Sequence, residues 1–300
     1  MTVGLLSPPS VHCDIATTPP YRATIIVSVY QDASVLRLIL ESLRRQSVGG
    51  FQVIVSEDGN SPEIQAVLAE ARPELGSLVH LTQEDCGFRK NRAMNRAASR
   101  AKSPYLIFLD GDCVPHRRLV ENHLRRAEPG VVLAGRRVEL GPRFSRWLRG
   151  NPSRLRTIQN RLAYLLLAPL LHGDGIRNYE VGLLLPLLET LRGNRTQSLL
   201  GCHFSCWKQN LLRINGFNEG YCQPGTGEDT DIQWRLERIG VRFRSARFLA
   251  PAYHLYHPVR WQPVEENQRI LRTTIERDEI YCRNGMDQHA SLPDIRREGF

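Results

Sequence analysis

Between Tyr21 and Asp110 the chain repeats one pattern, a short unbroken apolar run followed by an amphipathic helix, and few folds accept that pattern. The apolar runs are ATIIVSV (Ala23–Val29), FQVIVS (Phe51–Ser56), SLVHL (Ser77–Leu81) and YLIFL (Tyr105–Leu109). Runs this short, rich in β-branched residues and bounded by turn residues, read as buried strands. The segments between them, SVLRLILESLRRQ (Ser34–Gln46), PEIQAVLAEA (Pro62–Ala71) and RKNRAMNRAASRA (Arg89–Ala101), read as helices. The first puts Val35, Leu36, Ile39, Leu40 and Leu43 on one face, and the second opens on proline. Strands alternating with helices predict an α/β chain with a mostly parallel sheet and right-handed crossovers.

In such a sheet ligands bind at the carboxyl ends of the strands, and that is where the acids fall. LIFLDGDCVP (Leu106–Pro115) delivers Asp110 and Asp112 to a strand end, with Gly111 between them to let the backbone turn. Two carboxylates aimed at one point suit Mg²⁺ or Mn²⁺, whose other positions are filled by water and phosphate. The plain alternative is a strand ending in an Asp-Gly turn. The second strand ends in Ser56-Glu57-Asp58-Gly59 and the first runs into Val29-Tyr30-Gln31-Asp32. Three successive strand ends are therefore expected to open on one polar, nucleotide-sized crevice.

After VVLAGRRVEL (Val131–Leu140) the pattern changes. Residues 141–198 are rich in leucine and arginine, with helical stretches over Arg154–Leu171 and Val181–Arg192. They read either as a helical cap packed on the domain or as a surface resting on an anionic bilayer, with Arg143, Arg146, Arg149, Arg154, Arg156 and Arg161 at the headgroups. LLGCHFSCW (Leu199–Trp207) resumes as a strand, and LLRINGFNE (Leu211–Glu219) is a short helix closed by Gly216. GTGEDTDIQWRLERIG (Gly225–Gly240) sets Glu228, Asp229 and Asp231 at a helix start, where acids also serve as caps. VRFRSARF (Val241–Phe248) is a strand, AYHLYHP follows, and a polar helix and tail close the chain.

The formal net charge is +9, carried almost wholly by arginine, which suits anionic partners such as nucleotide phosphates or lipid headgroups. No aromatic-rich basic module or zinc-finger spacing is present, so nucleic acid is not an expected partner. Seven scattered cysteines point to reduced thiols in a cytoplasmic setting, and the Cys202/Cys206 pair reads as structural rather than zinc-binding. Residues 1–20 carry Pro-Pro twice and read as a flexible arm, not a signal peptide. No apolar run reaches the roughly 20 residues of a membrane span.

Taken in order, VSVYQD, SEDG, GFRKNRAMNRA, LIFLDGDCVP, GCHFSCWKQNLLRINGFNE, GEDTDIQWRL and HLYHP resemble a family 2 glycosyltransferase of the GT-A fold, Rossmann-like with a mostly parallel sheet flanked by helices. The later half is similar to the galactosyltransferase-like carboxyl-terminal module with its Gly-Glu-Asp signature. The resemblance implies a nucleotide-sugar-binding half over 21–140, a helical insertion over 141–198, an acceptor and catalytic half over 199–260, and a helix and tail over 261–300. It implies nucleotide contacts at Val29, Tyr30, Glu57 and Asp58. Basic and polar contacts to the nucleotide or diphosphate fall at Arg89, Lys90, Asn91 and Arg92, chiefly Lys90 and Arg92. Asp110 and Asp112 match the Asp-X-Asp pair, with Asp110 facing the ribose and Asp112 the metal. Asp229 matches the catalytic base, with Glu228 and Asp231 as runners-up, and His257 or His254 falls where relatives place a third metal ligand. His203 lies in a segment that lines the acceptor side in relatives, where the pattern often has Asn. Thr226 departs from the commoner Trp-Gly-Gly.

The activity so implied is inverting, metal-dependent transfer from a nucleotide diphosphate sugar, expected to be a UDP-sugar, to a glycan or lipid-linked glycan. The cofactor is Mn²⁺ or Mg²⁺, and the arginine-dense insertion suggests cell-surface polysaccharide synthesis in the cytoplasm, with peripheral contact at the inner face of an anionic membrane. LIFLDGDCV also fits a haloacid-dehalogenase-type phosphatase, with Asp110 as nucleophile, although that motif belongs near the start of its fold. A non-catalytic nucleotide-sugar-binding scaffold is the other alternative.

Overall fold

The structure is a computed structural model and describes residues 19–160, 175–185, 187, 198–258 and 263–289. The first half follows the expected order: β1 (Ala23–Val29), α1 (Ala33–Arg44), β2 (Phe51–Glu57), α2 (Pro62–Leu75), β3 (Leu78–Leu81), α3 (Lys90–Arg100) and β4 (Tyr105–Asp110). The side chain of Asp32 accepts from Val35 N and that of Ser61 from Ile64 N, so each fixes a helix start. Asp32 also pairs with Arg149 at 2.9 Å. Its carboxylate is thereby committed to a cap and an ion pair, and only two of the three strand ends contribute acids to the crevice.

The second half adds β5 (Cys113–Pro115), α4 (Leu119–Arg125), β6 (Val131–Ala134), β7 (Arg137–Glu139), α5 (Pro142–Arg149), α6 (Leu155–Asn160), β8 (His203–Trp207), α7 (Lys208–Ile214), α8 (Glu228–Arg238), β9 (Arg242–Ser245), β10 (Ala252–His254) and α9 (Glu265–Glu276). Seven strands form the main sheet in the order β3-β2-β1-β4-β8-β6-β9. β8 runs antiparallel to both β4 and β6, while the other neighbours are parallel. A second sheet has the order β5-β10-β7.

The run Val131–Leu140 is divided, β6 in the main sheet and β7 in the small one. Gly135 lies at the division, where an added Cβ would overlap the imidazole of His203. The backbone can approach β8 there only without a side chain.

Alternate residues of the main sheet face two separate cores, as the pleat requires. Ile25, Val27, Val53, Val55, Ile107 and Leu109 join α1, α2 and the small sheet. Ile26, Ile54, Leu106, Phe108, Phe204 and Cys206 join α3, α7 and α8. The described part of the insertion packs as a cap: Phe144, Leu148, Leu155 and Ile158 enter the first core, and Gln159 Nε2 donates to Ser42 Oγ and to Pro115 O, each at 3.1 Å. Residues 161–174, 186 and 188–197, which carry most of the two expected helical stretches, lie outside the described residues. Where the second stretch begins, Tyr179–Gly182 form a 3₁₀ turn rather than an α-helix.

From Glu265 to His289 the described chain packs on the domain. After α9 it returns to the second core, where Met286 is buried, Cys282 N donates to Ile214 O at 3.0 Å, and Asn215 Nδ2 donates to Asp287 at 2.8 Å. Among the described residues no helix is long and apolar enough to cross a membrane.

Candidate active site

The crevice is built on the ends of β1, β2 and β4, held in register by Val29 opposite Glu57 and Ser28 opposite Asp110. A Cβ at Gly111 would come within 2.5 Å of Ser28 O, so the turn between the two aspartates can pass β1 only as glycine. Beyond the turn, β5 pairs antiparallel with β10, Cys113 opposite His254, and Leu255 N donates to Asp112 O at 2.9 Å. That pairing brings the HLYHP segment to the second aspartate.

Asp112 Oδ2 lies 3.3 Å from His254 Nε2 and 3.2 Å from His257 Nε2, and the two imidazole nitrogens are 3.1 Å apart. One ligand atom from each residue fits within 4.8 Å of the others. Burial opposes the charge of Asp112, but hydrogen bonds from His254 and His257 hold its carboxyl well below the usual range. The hydrogen bond to Asp112 raises the pKa of His257. Both histidines reach the same carboxylate oxygen, which sequence spacing alone left as a choice between them.

Asp110 stands apart from this trio. Its Oδ1 pairs with Lys90 Nζ at 2.6 Å, while burial pushes its carboxyl up to about 6 against the pull of that lysine. Lys90 is the first residue of α3. Burial works against its charge, but Asp110 and then Asp229 raise its pKa above the ordinary value. Arg92, on the same helix, is half-buried and has no hydrogen bond or ion pair among the described residues.

Asp58 and Glu57 are held more tightly than nucleotide contacts alone would require. Asp58 accepts from Gln83 Nε2 at 2.7 Å and Arg89 N at 2.6 Å, which fixes the loop leading to α3. Glu57 is fully buried, accepting from Ser61 N at 2.5 Å and meeting His80 Nε2 at 2.8 Å. Its carboxylate ties β3 and the start of α2 to β2. Val29 is buried, and Tyr30 is exposed at the rim with its hydroxyl 3.3 Å from Asp85.

On the far side, Asp229 Oδ2 accepts from Gly201 N at 2.8 Å, and a Cβ at Gly201 would overlap the carboxylate. Burial raises the pKa of Asp229, with Lys90 opposing. Burial, then the neighbouring Asp229, push Glu228 up to about 7, and its Oε2 is buried without a hydrogen-bond partner. Asp231, a runner-up for the base, is instead committed to a structural pair. It forms a fully buried pair with Arg235 at 2.5 Å, and Arg235 Nη1 donates to Ile214 O and Gly216 O. His203 is also removed from any acceptor surface, being fully buried against Gly135 and His123.

A family model described as Glycosyl transferase family 2 matches residues 24–176, just over half of the chain and including the ends of β1, β2 and β4. The chain belongs to glycosyl transferase family 2. A second model, described as the N-terminal domain of galactosyltransferase, matches residues 191–258 of this glycosyltransferase. Among curated proteins, the teichoic acid poly(glycerol phosphate) polymerase of Staphylococcus epidermidis is 28% identical over 91 residues, 30% of this chain and 13% of that relative.

Several solved glycosyltransferases share the fold. The mannosyltransferase PcManGT from Pyrobaculum calidifontis, in complex with GDP-Man and Mn²⁺, has 19% identity and a TM-score of 0.53, covering 82% of this chain and 61% of its own. S. aureus TarS 1-349 in complex with UDP has 14% identity and a TM-score of 0.52, covering 84% and 63%. GalNAc-T7 with UDP, GalNAc and Mn²⁺ has 13% identity and a TM-score of 0.57, covering 85% and 48%. At these identities the likeness is one of fold, the GT-A arrangement, and this glycosyltransferase spans less than two thirds of each relative's length.

Sequence reasoning passed over Arg137 on β7. Burial works against its charge, yet the Cys113 and Cys202 sulfurs and then Asp112 and Asp110 raise its pKa. The only signal was the adjacent Arg136-Arg137 in a largely apolar run.

Proposed function

We propose that this glycosyltransferase is inverting and metal-dependent, and moves a sugar from a nucleotide diphosphate sugar, a UDP-sugar, to a glycan or lipid-linked glycan of the cell surface. The observation that carries the reading is the convergence of Asp112, His254 and His257 within 4.8 Å, together with a half-buried Asp229 aimed by Gly201 N. One carboxylate and two imidazoles form a donor set that fits Mn²⁺ better than Mg²⁺. These residues would hold the metal, with Asp110 beside it at the ribose, and the metal would offset negative charge gathering on the departing diphosphate. Two of the solved relatives are complexes with Mn²⁺ and two with UDP, and the curated relative is a polymerase of teichoic acid, which supports the choice of donor and the class of acceptor.

The remaining chemistry belongs to the chain's own side chains. Val29, Tyr30, Asp58 and the loop that Asp58 fixes would seat the nucleotide, with Glu57 holding β2 behind them. Lys90, and Arg92 with its free donors, would meet the phosphates. Asp229 would take the proton of the acceptor hydroxyl as that oxygen bonds to the anomeric carbon and the bond from that carbon to the diphosphate breaks. A single displacement of this kind inverts the anomeric centre. Residues 21–140 then serve as the donor half and 199–260 as the acceptor half, with the arginine-rich insertion lying against an anionic membrane at the cytoplasmic face.

Release of UDP from UDP-sugars in the presence of Mn²⁺ tests the reading. Asp112→Ala should abolish release, and Asp229→Asn should bind UDP normally but lower transfer by about a hundredfold or more. Near-wild-type transfer by Asp229→Asn would remove the base assignment, and UDP binding without turnover on any acceptor would favour a scaffold. Phosphate release from a simple phosphomonoester without UDP binding would favour phosphatase chemistry at Asp110.

A further inference from the structure

We propose that Arg137 is an oxyanion-binding residue of the transfer reaction, its guanidinium holding phosphate oxygens in the space between Asp229 and the Asp112, His254 and His257 cluster. The inference rests on the transferase reading and adds a residue that no motif marks.

The side chain of Arg137 is three-quarters buried, 25% exposed, yet makes no hydrogen bond among the described residues. The carboxylate it pairs with, Glu139, lies with Oε1 3.8 Å from Nε, beyond hydrogen-bond reach, and that Nε is buried without a partner. A guanidinium has five donors and does not shed its proton, so burying it unsatisfied is costly unless an acceptor arrives. Each neighbouring arginine, by contrast, has at least one acceptor within hydrogen-bond reach. Arg136 donates to Gly135 O and Ser198 O, Arg177 pairs with Glu139, and Arg247 pairs with Glu180.

Its position selects the ligand. Along β7, Arg137 and Glu139 share one face and the fully buried Val138 the other. Glu139 lies opposite His254 of β10, and His254 opposite Cys113 of β5, so β7 runs directly beside the strand that carries the histidine. The charge of Arg137 reaches both sides of the crevice, pulling down the pKa of His257 and of Asp229, though burial and other groups weigh more at each. Lys90, which also faces the crevice, is already paired with Asp110 at 2.6 Å. Arg137 thus has donors free for an incoming anion, and its planar fork matches a tetrahedral oxyanion. Two groups in the reaction carry that chemistry: the diphosphate of the donor and a phosphate on the acceptor.

Isothermal titration of the full chain with Mn²⁺ distinguishes them. The ligands are inorganic pyrophosphate, UDP and, on the UDP-loaded protein, glycerol 3-phosphate; the proteins are wild type, Arg137→Gln and Arg137→Lys. Arg137→Gln should weaken at least one ligand by about ten- to a hundredfold, with Arg137→Lys recovering part as a point charge. Mn²⁺ itself should bind Arg137→Gln at least as tightly as wild type, since a cation has been removed nearby. Loss on pyrophosphate and UDP assigns the donor's diphosphate, and loss confined to glycerol 3-phosphate assigns an acceptor phosphate. If both variants bind every ligand as wild type does, Arg137 is only a counter-charge to Asp110 and Asp112, and the inference is wrong. Arg137-dependent binding of pyrophosphate without any binding of UDP would leave the oxyanion site standing and overturn the UDP-sugar reading instead.

Discussion

Glu228 and Asp229 are consecutive carboxylates with opposite local supports. Asp229 is aimed by a backbone N–H from Gly201, whereas Glu228 is half-buried with one oxygen unpartnered. Its pKa is pushed from 4.5 to about 7, mainly by burial, which makes a stability prediction with a definite sign. Below pH 4.5 the group is protonated folded or unfolded and contributes nothing. As pH rises from 4.5 to about 7 only the unfolded chain ionises it, so stability falls, and above 7 the full penalty remains. Glu228→Gln should therefore stabilise the fold by about 2 kcal/mol at pH 8 and by little at pH 4.5, read as the difference from wild type in urea unfolding. An equal effect at both pH values would mean that Glu228 is not held protonated by its surroundings. The two acids were legible in the sequence from their place at a helix start, but their division of labour was not. It depends on Gly201, which lies 28 residues away and has no side chain to announce it.

Short elements do most of the positioning here, and they were the hardest to read. The long apolar runs of β1, β2 and β4 and their helices were plain because each carries its own period. β5 and β10 are three residues each, too short to show a period, yet their pairing brings His254 and His257 to Asp112. The break between β6 and β7 was hidden because it depends on an imidazole of another strand lying over Gly135. Gly201 has the same character, immediately before the fully buried Cys202 and His203 and directly under the Asp229 carboxylate. Gly201→Ala should displace that carboxylate, lowering kcat about tenfold or more while UDP affinity stays near wild type. A variant that loses UDP binding and kcat together would show instead that this segment supports the donor side.

The main sheet joins residues 21–140 to residues 199–260, and the described chain after α9 braces the second core by docking on the Asn215 turn. Sequence periodicity assigned that last segment to a polar tail because its docking is made by single residues, Met286 and the backbone around Cys282, rather than by a repeating face. The net charge of +9 was legible from the start, but where it gathers required the fold. α5 and α6 turn Phe144, Leu148, Leu155 and Ile158 inward, leaving Arg143, Arg146 and Arg156 exposed. A cap and a membrane surface are therefore compatible, since the apolar face is spent on the core and the arginines remain available for headgroups. Each exposed arginine near an anionic bilayer contributes about 1 kcal/mol, so three would favour such vesicles over neutral ones by about a hundredfold at low salt. Co-sedimentation with phosphatidylglycerol vesicles should show that preference, reversed by salt as the Debye length shortens. The double substitution Arg143→Glu and Arg146→Glu should abolish it without altering UDP release. Binding that persists in the double variant would place the membrane contact elsewhere on the chain, and equal partition onto neutral vesicles would refute an electrostatic contact altogether.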